Sequence, residues 1–70
     1  MKNSQEMAIL IKIELKKRKT TVVKMLSEVG LTKNVLDNMQ NGSMPSADKL
    51  AKIAQYLNVS MEYLMGLVDE

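Results

Sequence analysis

The clearest periodicity lies in the second half of the chain. Leu50, Ile53, Ala54 and Leu57 recur at i, i+3, i+4 and i+7, the spacing of one apolar helix face. Ser46 precedes this run as an N-cap, and Pro45 before it cannot continue a helix. The spacing predicts a helix over 47–57. Near the start, Met7, Ile11 and Leu15 form a four-residue ladder with Ala8 beside it. Asn3 and Glu6 have capping-box spacing, with Ser4 as an alternative cap, which predicts a helix over 4–17. Ile9, Leu10 and Ile13 widen that apolar sector beyond one stripe. Some of them should pack on a second partner, with the C-terminal helix as the candidate.

Three shorter helices fill the remainder. Thr20 or Thr21 caps a helix over 22–29, with Val22, Met25, Leu26 and Val29 inward. Gly30 can take positive φ and stop it, and Leu31 returns to the core. Thr32 is placed to cap a helix over 33–41, where Val35, Leu36 and Met39 make one stripe. Asn41-Gly42 closes that helix. Ser60 caps a last helix over 61–66, with Met61, Leu64 and Leu67 inward, and residues 68–70 are expected to fray. No alternating period-2 stretch exists, so no sheet is expected. The fold class is all-α: a compact five-helix bundle forming one domain, 1–70.

With 70 residues and no cysteine or histidine, the chain has neither disulfides nor the usual ligands of zinc, haem or iron–sulfur sites. No cofactor or metal is expected. The core must come from Leu, Ile, Val and seven Met, because aromatic content is 3%. The run MAILIKI (7–13) is interrupted by Lys12 and too short to span a bilayer. A soluble, cytoplasmic protein is expected, with no membrane partner and no small-molecule ligand. Nothing suggests an enzyme: there is no Gly-rich phosphate loop, no acidic pair in an evident cleft and no Ser with a partnered base.

Charge is divided unevenly. Residues 1–35 hold eight Lys/Arg and three Glu, a balance of +5, and residues 36–70 hold two Lys and five Asp/Glu, −3, which recovers the net +2. Such a molecule can turn a basic side to a polyanion. The segment GLTKNVLDNMQNG, Gly30 to Gly42, supplies something to meet it. Lys33, Asn34, Asp37 and Asn38 stand off the apolar stripe of its helix, and Asn is a poor helix former. Hydrogen-bonding arms on the free face of a short helix are what base-edge reading in a major groove requires.

From Lys24 to Gly66, KMLSEVGLTKNVLDNMQNGSMPSADKLAKIAQYLNVSMEYLMG resembles the small five-helix DNA-binding domains of the Cro/CI type, the XRE-like, lambda-repressor-like helix-turn-helix family. GLTKNVLDNMQNG looks like its turn and recognition helix, and PSADKLAKIAQYLNVSMEYLMG like its fourth and fifth helices. The resemblance implies that Lys33, Asn34 and Asn38 read base edges. Val35 would touch a thymine methyl if it turns outward. Asp37 would accept from cytosine N4 or face Lys33 and Asn41 along the helix. It further implies phosphate contacts from Thr20, Thr21 and Lys24 at the start of the second helix, from Thr32, and from Asn41 and Ser43 after the third. Lys16, Lys17, Arg18 and Lys19 would add electrostatic reach. Many members carry Gln at the start of the second helix; Val22 and Val23 stand there instead, so that contact is lost or moves to Thr21 or Lys24. Leu26 occupies a position often held by a small residue, and Met39-Gln40 replaces a common Trp-Glu.

The implied function is a sequence-specific regulator of transcription, a repressor binding double-stranded DNA. Two half-sites about one helical turn apart, roughly 34 Å, would call for a homodimer, weak or DNA-induced. The alternative is a protein-interaction module on the same fold, an antirepressor or antitoxin-type partner binder.

Overall fold

The computed structural model describes residues 2–68 and contains, among them, five helices. These are α1 (Ser4–Lys17), α2 (Val22–Val29), α3 (Asn34–Gln40), α4 (Ala47–Leu57) and α5 (Met61–Met65). Local chemistry explains most of their ends. Asn3 accepts from the Glu6 N–H while the Glu6 carboxylate accepts from the Asn3 N–H, a complete capping box at α1. Thr21 caps α2 by accepting from the Lys24 N–H, and Ser60 caps α5 by accepting from the Tyr63 N–H. Asn58 ends α4 in the left-handed region at φ 57°, the position where Asn is tolerated best after Gly.

The ends of α3 differ from the sequence expectation. The helix begins at Asn34 and stops at Gln40, one residue short of 33–41 on each side. Lys33, not Thr32, occupies the cap position, and it does so in helical backbone with no side-chain cap bond. A Thr hydroxyl caps only when its own backbone is extended at the boundary. Ser46 takes extended backbone at the start of α4 but makes no side-chain cap bond. In α5 the helix ends at Met65, with Gly66 as the left-handed cap at φ 82°.

The core draws on every helix. Met7, Ala8, Ile11 and Leu15 come from α1, Met25 and Leu26 from α2, Val35, Leu36 and Met39 from α3, Leu50, Ile53, Ala54 and Leu57 from α4, and Leu64 from α5. α1 packs on α3 and α5, and α4 packs on α2 and α5. Val22 and Val29 are half-buried at the margin. Ile9 and Ile13 depart from expectation. Leu10 reaches the core margin, but Ile9 is 57% and Ile13 47% exposed. Leu67, placed inward by the sequence pattern, is exposed as well. Val68 lies beyond α5; the fraying expected at 69 and 70 falls outside the described residues. No described helix is long and apolar enough to cross a membrane.

One polar group joins three helices. Glu14 is only 5% exposed. Its Oε2 accepts from the Tyr63 hydroxyl of α5 at 2.7 Å, and its Oε1 accepts from Arg18 Nη1 at 2.7 Å. Arg18 Nη1 also donates to the Glu14 carbonyl at 2.9 Å, and Nη2 donates to the Leu57 carbonyl at the end of α4. Arg18 and Tyr63, donating to the carboxylate, hold its pKa below the usual value, against the opposing effect of burial, with Lys17 assisting. Depressed in this way, Glu14 stabilises the fold fully above its unfolded pKa, about 4.3, and that contribution is lost as pH falls through the lower folded value. Glu14→Gln keeps the shape but replaces a carboxylate by a neutral amide. It is expected to cost about 1–3 kcal/mol, or roughly 4–8 °C per kcal/mol in a domain of this size. Thermal melts between pH 7 and pH 3 should also show a flatter acid limb for the variant than for the parent.

Candidate nucleic-acid interface

The turn between α2 and α3 is set by Gly30. It stands in the left-handed region at φ 76°, and its N–H returns to the carbonyls of Leu26 and Ser27. The Leu31 N–H closes on the Leu26 carbonyl at 2.9 Å, a Schellman arrangement, and the Leu31 side chain packs against the core. The chain then leaves α2 in one direction only, and α3 starts three residues later.

Seven residues are too few for a helix to hold itself in water. α3 persists because Val35, Leu36 and Met39 are buried on one side. The opposite side follows from the helical rotation of about 100° per residue. Asn34, Asp37, Asn38 and Asn41 fall within an arc of about 100° there, all exposed, and Lys33 stands exposed beside it at the helix start. Asp37 therefore shares a face with Asn41 and Asn34. Val35 does not: it is 5% exposed and part of the core. The condition for a thymine contact, that Val35 turn outward, is not met, because the same side chain anchors the helix.

Beyond Gln40, Gly42 takes φ 96°, and the Ser43 N–H closes on the Asn38 carbonyl at 2.8 Å. The chain so folded forms a polar cleft beside α3, lined by Thr32, Asn38, Ser43, Ser46 and Lys49 among others. Thr32, Asn38 and Ser43, singled out in the sequence, are brought together here. Ser46 and Lys49 were missed, because they belong to α4 and only the 43–46 loop returns them to α3. Pro45 in that loop was the one available signal.

The start of α2 forms a second group. Thr21 accepts from the Lys24 N–H through its lone pair, which leaves its hydroxyl proton free to donate outward. Thr20 is differently placed. Tyr56 donates its proton to Glu28 Oε2 at 3.2 Å, so Thr20, 3.3 Å from the Tyr56 oxygen, is the donor of that pair. Its proton is used within the fold, tying the approach to α2 onto α4. Lys24 is exposed.

The basic run divides in the same way. Lys16 and Lys19 are exposed, the latter in the left-handed region at φ 56°. Lys17 approaches Glu14 Oε2 at 3.5 Å with most of its side chain in solvent. Arg18 differs from its neighbours in the run: its guanidinium is held by Glu14 and by the end of α4. A guanidinium presents five donors in a rigid fork, so it satisfies a carboxylate and a carbonyl together.

A helix-turn-helix domain model matches residues 8–70. The chain belongs to the helix-turn-helix family. It is of the XRE-like, Cro/CI type, with α2, the Gly30 turn and α3 as the unit that gives the family its description. No curated protein and no solved structure matches it.

The helix-turn-helix depends on Gly30, since a Cβ in the left-handed region costs about 1–2 kcal/mol and nothing lies within 4 Å to add a steric term. Gly30→Ala should therefore lower the melting temperature by roughly 4–8 °C per kcal/mol. Gly30→Asn, which tolerates that region, should lower it less. Equal losses from the two in thermal melts would remove the conformational explanation.

Proposed function

We propose that this chain is a sequence-specific, double-stranded DNA-binding regulator that acts in the cytoplasm without catalysis, and that it represses by occupying its site. The observation that carries the reading is the outer face of α3. It presents Asn34, Asp37 and Asn38 from a helix whose other face is buried, with Lys33 at the tip. The amides of Asn34 and Asn38, one turn apart, suit the N6/N7 edge of adenine, and Lys33 suits O6/N7 of guanine. Asp37 either accepts from cytosine N4 or keeps its amide neighbours in place.

Phosphate contacts would flank this face. Thr21 and Lys24 serve one strand from the start of α2, where Val22 and Val23 leave no side-chain donor. Asn41, Ser43, Thr32 and Lys49 serve the backbone beside the cleft. Thr20, its proton held by Tyr56, would contribute through its position rather than its hydroxyl. Lys16 and Lys19 add long-range attraction that salt screens. Such contacts position the helix, and the base edges then decide sequence. A repressor of this kind needs only occupancy, with two copies on a two-fold operator for specificity.

Selection of bound sites from random duplexes should yield a defined half-site, with affinity falling steeply between low and moderate salt. Lys33→Ala and Asn34→Ala should each cost about 1–3 kcal/mol of discrimination at one base pair. Lys24→Ala and Lys49→Ala should weaken all sequences alike and each lower the salt slope by about 1. If all four leave duplex retention unchanged, the reading is wrong. Sequence-blind retention with tight binding to another protein would instead favour an interaction module on this fold.

A further inference from the structure

α1 is apolar on two opposite sides. One side carries Met7, Ile11 and Leu15 into the core. With the rotation of about 100° per residue, Glu6, Ile9, Ile13 and Lys16 fall within an arc of about 80° on the other. Ile9 is 57% and Ile13 47% exposed, and Glu6 and Lys16 are exposed at either end of the pair. Leu10 flanks the stripe, and with Lys2, Glu6, Ile9 and Ile13 it lines a shallow apolar depression. Among the described residues, no other helix covers Ile9 and Ile13.

We propose that this face pairs with the same face of a second copy of the chain, antiparallel, about a two-fold axis passing beside Ile11. The order of charges along the stripe selects this partner and this direction. In an antiparallel pair centred there, Ile9 meets Ile13 of the second copy twice, and Glu6 meets Lys16 of the second copy twice. A parallel pair would set Glu6 against Glu6 and Lys16 against Lys16, which is unfavourable. The contact is self-complementary, as a two-fold dimer requires. The capping box leaves room for it: Glu6 Oε1 takes the Asn3 N–H, and Oε2 remains for the lysine.

Size sets the strength. α1 has 14 residues and so spans about 21 Å, and one such helix pair buries less than the roughly 1,200 Å² of a stable specific interface. The dimer is therefore weak, and it fills when two copies are brought together. The pairing does not rest on the DNA-reading assignment and is tested without DNA.

Sedimentation equilibrium over rising protein concentration should show a reversible monomer–dimer equilibrium. Glu6→Lys and Lys16→Glu should each weaken self-association by about tenfold, since two attractions become two repulsions. An equimolar mixture of these two variants should associate as the parent does, because each copy then meets its opposite charge. Ile13→Ser should abolish association in the same concentration range. Circular dichroism melts of each variant separate this from loss of fold, and Lys16→Glu and Ile13→Ser carry the test without touching the capping box. A parent that stays monomeric throughout, charge variants that associate like the parent, or a mixture that fails to recover would each overturn the proposal.

Discussion

The burial of one side of α3 is the constraint on which the rest depends. A helix of seven residues gains too little from its own hydrogen bonds to persist. Val35, Leu36 and Met39 hold it by packing into the core against α1. Once those three are inside, the direction of every other side chain on α3 is settled, since helical rotation leaves no freedom. Asn34, Asp37 and Asn38 point outward because Val35, Leu36 and Met39 point inward. The core and the candidate interface are two consequences of one packing decision.

Two devices keep α3 in that position. Gly30 fixes the angle at which the chain leaves α2, through a backbone conformation that side chains resist. At the other end, the Gln5 side-chain amide of α1 donates to the Gln40 carbonyl at 3.1 Å. Further from the site, Glu14 performs the equivalent task for the frame. It draws Arg18, Tyr63 and, through Arg18, the end of α4 onto α1. A buried carboxylate of this kind is tolerable only because each oxygen has a donor. It also converts one member of a basic run into a structural group. The cost is borne locally, and the adjacent Lys16 and Lys19 remain outside the network.

The division between the legible and the hidden follows from range. The capping box at Asn3 and Glu6, the Thr21 cap, the Gly30 stop and the Ser60 cap were readable, because each involves residues within about one turn of each other. The apolar ladders of α1 and α4 were readable for the same reason. Thr32 misled because several residues near a helix start can cap, and the choice among them depends on backbone angles that the Gly30 turn imposes. Ile9 and Ile13 misled because an apolar residue in a helix promises burial somewhere. Periodicity reports that a sector is apolar and not whether another element covers it.

By itself, then, the sequence determined five helices, the side-chain caps of α1, α2 and α5, and a polar strip on the third, since those follow from contacts between near neighbours. It also placed the chain in its family, through the joint spacing of turns and apolar positions. Tertiary structure decided what lies between elements distant in sequence. It buried Val35 and so removed it from the reading face. It paired Glu14 with Tyr63, 49 residues away, and took Arg18 out of the basic run. It returned Lys49 to the cleft beside Asn38, and it left Ile9 and Ile13 facing solvent. Each depends on where another helix lies, which is fixed by the packing of all five together, and no local spacing records it.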